Sequence, residues 1–294
     1  MTHIPVLTKE VLQYLDPKPN ENFIDCTIGE GGHARLILEK TAPEGRLLAI
    51  DLDASQVENS KLRLAEFAGR ASFANGSYAS IKEITSGLDF KPVHGILLDL
   101  GYSSWQLEKS GRGFSFLKDE VLDMRYDVKN TLTAKKIVNE YPREELEKII
   151  KEYGEEKFAK NIAKKIDEKR RIKKIETTLE LVDIITEATP GAFRYGSIHC
   201  ATRTFQALRI AVNAELDNLE KFLPDAMDIL EASGRLAVIS FHSLEDRIIK
   251  KFFKEREKEE AVKILTKKPV TGGADELLEN PRARSAKLRA IMKI

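Results

Sequence analysis

Four carboxylates, Asp25, Glu30, Asp51 and Asp99, and the glycines Gly29, Gly31 and Gly32 fall at spacings that can hold a charged small molecule. The glycines let backbone approach a ligand where any side chain would intrude. Gly29-x-Gly31-x-x-Ala34, with Asp51 further on, satisfies the loose dinucleotide pattern, so a nicotinamide-dependent oxidoreductase is one reading. The carboxylates oppose it, because they would repel a pyrophosphate arriving at a helix N-terminus. They favour a cationic cofactor instead. S-adenosylmethionine carries a sulfonium, an ammonium and a ribose diol, so acids can bond its amine and ribose while bare glycine amides receive its carboxylate.

The elements that must position these residues are legible as alternating strands and helices. Phe23-Ile24 and Leu47-Leu48-Ala49-Ile50 are short apolar runs suited to buried parallel strands, and Ala34 to Lys40 is long enough to cross between them. Ala54 to Phe67 reads as a helix and Ala71 to Ala74 as a third strand. Asn75-Gly76-Ser77 then turns the chain, leaving Tyr78 where its ring could lie against a cofactor base or in the core. Val93 to Leu100 is a fourth strand that ends in Asp99, at the carboxyl edge where open sheets bind ligands. A fifth strand, Arg235 to Phe241, brings His242 to the same kind of edge, with Ser243 placed to cap the following helix. The tail carries Arg282 and Arg284 before a segment that could complete the sheet in antiparallel sense.

Between the fourth and fifth strands the pattern changes. Trp105, Phe114, Phe116 and Tyr126 mix with Arg112 and Arg125, which is what stacking on an unpaired base and contacting phosphate require. Residues 131 to 189 hold only helical patterns, three or four helices, and from Thr204 the helical periodicity reads as the chain rejoining the sheet domain. Phe158, Ile162, Ile166 and Ile172 mark one face of this insertion. Lys160, Lys164, Lys165, Lys169, Arg170, Arg171, Lys173 and Lys174 crowd nearby, opposed only by Asp167 and Glu168, and could bind phosphate or simply be solvated. The expected division is residues 1–104 with 196–294 as a sheet domain, and 105–195 as an inserted helical domain that recognises the substrate.

Composition excludes several classes. With 48 basic and 47 acidic residues the net charge is +1, which argues against wholesale nonspecific nucleic-acid binding. No apolar run reaches membrane-spanning length and the N-terminus lacks a signal core, so a cytoplasmic protein with no membrane partner is expected. Cys26 and Cys200 make neither a disulfide framework nor a zinc site, and no metal is expected.

Nine blocks in order carry a resemblance that runs nearly end to end: HIPVL at His3 to Leu7, DCTIGEGGH at Asp25 to His33, HGILLDLG at His94 to Gly101, RGFSF at Arg112 to Phe116, LDMR at Leu122 to Arg125, YGEEKFAKNIA from Tyr153, ATRTFQALRIAVNAEL from Ala201, SFHSLEDR at Ser240 to Arg247 and NPRARS at Asn280 to Ser285. Together they resemble the bacterial 16S rRNA (cytosine(1402)-N(4))-methyltransferase family, which modifies a decoding-centre cytosine. The resemblance implies an α/β fold, a Rossmann-like class I methyltransferase doubly wound sheet with an inserted all-helical domain, and 16S rRNA in the small ribosomal subunit as partner. It also implies that Gly31, Gly32 and His33 surround the methionine end of S-adenosylmethionine, that Asp51 takes the ribose hydroxyls, that Tyr78 stands at the adenine, and that Asp99 and Gln106 complete the pocket. Tyr78 falls where relatives can carry phenylalanine, so its aromatic contact is the inference, and Cys200 is a mild departure that touches no proposed contact.

Methyl transfer to cytosine N4 needs in-line positioning and an acceptor for an N4 hydrogen, for which Asp99, Ser103 and His242 are the candidates. The Asp/Ser-Pro-Pro-Tyr box of many amino-methylating DNA enzymes is absent, so that mechanism is not imported. Trp105, Arg112, Phe114, Arg125, Lys164, Lys165, Arg170 and Arg171 are the expected RNA contacts. A rival outside catalysis is an assembly factor that clamps ribosomal RNA, and a homodimer is compatible with the sequence.

Overall fold

The structure is a computed structural model that describes residues 5–102, 104–194, 196 and 198–294. Ser103 therefore lies outside the described residues. The chain divides into two compact units, Met1–Gly101 with Leu216–Ile294, and Tyr102–Glu215.

The first unit begins with helix α1 (Thr8–Leu15), then β1 (Phe23–Asp25), α2 (Gly32–Lys40), β2 (Leu47–Asp51), α3 (Ala54–Arg63), β3 (Ala71–Asn75), α4 (Ile81–Gly87) and β4 (Gly95–Asp99). The second unit contributes α5 (Ser104–Glu108), α6 (Ala134–Glu140), α7 (Arg143–Gly154), α8 (Ala159–Arg170), α9 (Thr178–Ala188) and α10 (Thr202–Asn213). The chain returns through α11 (Glu215–Ile229) to β5 (Arg235–Ser240), α12 (Ser243–Lys258), β6 (Val262–Ile264), α13 (Ala274–Glu279) and β7 (Lys287–Lys293).

The strands form one sheet in the order β3-β2-β1-β4-β5-β7-β6. Neighbours from β3 to β5 pair in parallel, and β7 runs antiparallel to both β5 and β6. Side chains alternate strictly between two cores. Ile24, Leu48, Ile50, Ile96, Leu98, Leu236 and Val238 face one, while Phe23, Leu47, Ala49, Leu97, Ala237 and Ile239 face the other. Burial on both faces is why the strands read as unbroken apolar runs. Strand order reverses at β1 and β4, so the carboxyl ends of these two strands flank the position where such sheets bind ligands.

The second unit packs its own core from Ile137, Val138, Leu146, Ile150, Ile162, Ile166, Leu181, Ile185, Phe205 and Leu208. The chain leaves it at Leu216, later than the boundary at residue 196 expected from sequence. The reason is α10: Phe205, Leu208 and Val212 are buried in the helical core, the Gln206 side chain donates to the Tyr153 carbonyl, and the Asn213 side chain bonds the backbone of Met124 and Tyr126. Ala214 then takes a left-handed conformation that ends α10. The apolar spacing from Thr204 to Leu223 is thus two helices in two units. Ile172 does not share the face of Ile162 and Ile166, because α8 has ended and Ile172 is exposed.

Candidate cofactor and catalytic site

The carboxyl ends of β1, β2 and β4 deliver Asp25, Asp51 and Asp99 to one edge of the sheet, and the loop from Thr27 to Gly31 runs among them. Backbone bonds fix this loop to its neighbouring strands. Cys26 N donates to the Leu97 carbonyl and Ile28 N to the Ile50 carbonyl, each at 2.9 Å. The acids also hold it. Asp51 accepts from the Gly29 and Asp53 amides at 3.0 and 2.9 Å, and Asp25 accepts from the Thr27 amide at 3.2 Å. Thr27 in turn accepts from the Asp99 amide at 2.8 Å through its hydroxyl. Neither Thr27 role was anticipated, since the Thr27–Asp99 contact joins residues 72 apart in the chain.

Gly31 caps α2 with φ 80°, a left-handed geometry that a side chain would strain. At Gly32 a Cβ would lie 2.7 Å from Cγ of Pro5, so the N-terminal segment closes directly over the start of the helix. This gives the HIPVL block a positional role that its composition did not suggest.

His33, in the first turn of α2, is buried, and neither ring nitrogen has a hydrogen-bond partner among the described residues. Its Nε2 lies 3.7 Å from Oδ2 of Asp99, too far for a hydrogen bond. Oδ1 of Asp99 is likewise buried and unpartnered. Buried polar groups are nearly always satisfied, so three such atoms in one cluster point to a missing ligand. Burial also raises the neighbouring acids. Asp25 is pushed up to about 6, partly offset by His33 and the Thr27 amide, and Asp51 is pushed up to about 7, partly offset by the Asp53 and Gly29 amides. A cation or a pair of hydroxyl donors would bring both acids back toward their ionised forms. Burial holds the Cys26 thiol well above its ordinary range, so it is no nucleophile.

A model of the MraW methylase family matches residues 1–294. The chain belongs to this family. Ribosomal RNA small subunit methyltransferase H of Persephonella marina is 48% identical, covering 99% of each chain. The protein of the same name from Thermotoga neapolitana is also 48% identical, with 98% of this chain and 95% of its own covered. That from Clostridioides difficile is 43% identical with 99% of each covered. A crystal structure from Clostridium thermocellum superposes with a TM-score of 0.50 at 11% identity over the full length of both chains, a likeness of fold. The chain is therefore a methyltransferase of Rossmann-like fold that uses S-adenosylmethionine, and the oxidoreductase and non-catalytic readings fall away.

The methylase's sheet edge fits that donor. The unpartnered His33 and Asp99 atoms, the acids at the strand ends and the open amides of Gly31 and Gly32 match its mixed charge. Tyr78 lies half-buried, edge-on to Phe222 at 5.5 Å, so packing accounts for part of its surface. Glu30 turns away from the other acids to pair with Arg63 at 2.7 Å. Gln106 is buried within α5 of the helical unit.

Several expected residues have structural work instead. His242, not Ser243, caps α12: its Nδ1 accepts from the Glu245 amide, and Glu245 reaches back to the His242 amide. With Nδ1 so engaged, its Nε2 carries the hydrogen of the neutral ring and faces Glu245 at 3.2 Å, which removes His242 as an acceptor for N4. Phe114 is buried and stacked on Tyr126, so it cannot receive a base. Arg125 is spent on Asp123 and the Val128 and Asn130 carbonyls. Arg112 lies over the Trp105 ring and donates to the Arg125 and Tyr126 carbonyls.

The basic helix α8 is corrected most. Arg170 and Arg171 both bind Asp167, and Arg170 also donates to the Val138 carbonyl. Lys165 and Lys169 share Glu187, Lys164 lies 3.8 Å from Glu168, and Lys173 pairs with Glu180. Glu180 and Glu187 come from α9, whose pairing with α8 the local sequence could not reveal.

Proposed function

We propose that this methylase transfers a methyl group to the N4 amine of a decoding-centre cytosine in 16S rRNA, within the small ribosomal subunit and in the cytoplasm. The substrate follows from relatives named ribosomal RNA small subunit methyltransferase H over nearly the whole chain. The observation that carries the site is the buried, unpartnered set of His33 Nδ1, His33 Nε2 and Asp99 Oδ1 at the strand switch point.

In this reading the Gly31, Gly32 and His33 amides hold the donor's carboxylate at the start of α2. Asp51 receives the ribose hydroxyls on lone pairs left over from its two amide bonds. Tyr78 offers its ring to the adenine, and Gln106 completes the pocket. When bound, S-adenosylmethionine supplies an electrophilic methyl on a positively charged sulfur. Asp99 then has two tasks open to one carboxylate. Oδ2 faces His33, while the free Oδ1 accepts an N4 hydrogen and helps the amine lone pair leave conjugation with the ring. As the N–C bond forms, N4 must lose one proton, and Asp99 is the acceptor that hands it to solvent. The helical unit recognises the RNA around the target.

The test is direct. Small subunits lacking the modification are incubated with the protein and labelled S-adenosylmethionine, and the labelled nucleotide is mapped. Label on N4 of a decoding-centre cytosine is expected; label elsewhere, or none, refutes the assignment.

A further inference from the structure

Within the helical unit one aromatic ring is built into place yet left open. Tyr102 follows Asp99 by three residues, so their Cα atoms lie no more than about 11 Å apart whatever path the backbone takes. Its ring is 39% exposed. The Arg209 guanidinium lies over the ring at 5.0 Å from its centroid. Arg209 is itself buried and gripped by Glu215 through two hydrogen bonds of 2.8 and 3.0 Å, the planar two-point geometry that fixes a guanidinium most firmly. On another side Phe114 stands 6.2 Å away at a tilt of 34°, and Phe114 is backed by Tyr126 at 5.4 Å and 11°.

A solvent-facing tyrosine needs no such support for stability. A buried ion pair contributes little net stabilisation, and an open ring contributes little burial. What the arrangement does achieve is a ring that cannot swing, tethered beside the acid that ends β4. A base taken out of its stack needs an aromatic surface to replace the neighbours it has lost.

We propose that Tyr102 is the platform on which the target cytosine stacks, with Arg209 and Glu215 as positioning residues that fix the ring. This rests on the cytosine N4 reading above. The phenolic hydroxyl has no part in it, so the ring alone is required.

The test uses the full-length protein, unmodified small subunits and labelled S-adenosylmethionine. Y102F keeps the ring and is expected to methylate with the kcat/KM of the unchanged protein. Y102L keeps apolar bulk without the ring and is expected to lose roughly tenfold in kcat/KM, the scale of one lost base stack, mainly through a higher KM for subunits. Affinity for S-adenosylmethionine, measured by calorimetry, should be the same in all three. R209M should lower kcat/KM in the presence of Tyr102 and cause no further loss in the Y102L background. Y102L acting at the unchanged rate overturns the proposal, as does Y102L losing cofactor affinity in step with activity, which is the mark of a structural role. Should R209M fail to fold, the contrast between Y102F and Y102L decides alone. If the unchanged protein fails to methylate subunits, the proposed function itself falls, a result separate from any difference among variants.

Discussion

The carboxyl edge of the sheet and helix α8 both concentrate charge, and they do so to different ends. On α8 the cations meet carboxylates from α8 itself and from α9, so Arg170, Arg171, Lys165 and Lys169 tie two helices together. At the sheet edge, Asp99 and His33 are buried with polar atoms that nothing in the chain satisfies, and burial raises Asp25 and Asp51. Charge that is already answered is architecture, whereas buried charge left unanswered is a place for a ligand. Counting residue types cannot separate the two; their partners can.

Breaking the sheet edge should have the largest effect. Asp99→Asn keeps the shape but removes the acceptor charge, and a loss of roughly 10²–10³ in kcat is expected, the scale for one group that stabilises a transition state. Single-turnover methylation of small subunits measures it, and an unchanged rate would exclude Asp99 from the chemistry.

Asp51→Ala comes next. Loss of a hydrogen-bonded charged group should weaken S-adenosylmethionine binding by roughly 10–100-fold. Calorimetric titration checks this, and equal affinity would remove the ribose assignment.

The raised acids predict a pH dependence of stability in the free protein. Both carboxyls hold protons more tightly folded than unfolded, so their contribution is complete below the unfolded value near 3.8 and fades as pH rises through about 6 for Asp25 and about 7 for Asp51. For Asp25 the cost at neutral pH is on the order of 3 kcal/mol. Urea unfolding between pH 4 and pH 8 should therefore show stability falling as pH rises in this window, and Asp25→Asn should flatten that slope. A slope identical in the variant would show that Asp25 is not desolvated as described.

The smallest effect belongs to α8. Removing Lys164 and Lys165 together should change subunit affinity less than about twofold and leave its salt dependence unaltered, because these side chains already have carboxylate neighbours. A clearly shallower salt slope, measured by filter binding, would restore α8 as an RNA face and erase the contrast drawn above.

The parts legible in sequence were those encoded locally. Apolar runs such as Leu47 to Ile50 and Ile96 to Leu98 mark parallel strands because both faces of the sheet are covered. The acids and glycines were visible because a strand-turn-helix unit places them a fixed number of residues apart. Helix α1 and strand β6 went unread, since eight and three residues give little periodicity. Long-range partners were hidden altogether: Thr27 beneath Asp99, Pro5 over Gly32, Glu187 beside α8, and the packing that assigns α10 to the helical unit. His242 stood out by its type at a strand end, and its work as a cap becomes visible only once the Glu245 amide lies against it.

One measurement addresses the sheet edge most directly. S-adenosylmethionine is titrated into the unchanged protein by calorimetry at pH 6.5, in two buffers of different ionisation enthalpy. Binding accompanied by net release of protons is predicted, because a cationic, hydroxyl-donating ligand favours the ionised forms of Asp25 and Asp51. Binding with net proton uptake, or no binding at all, would contradict the account.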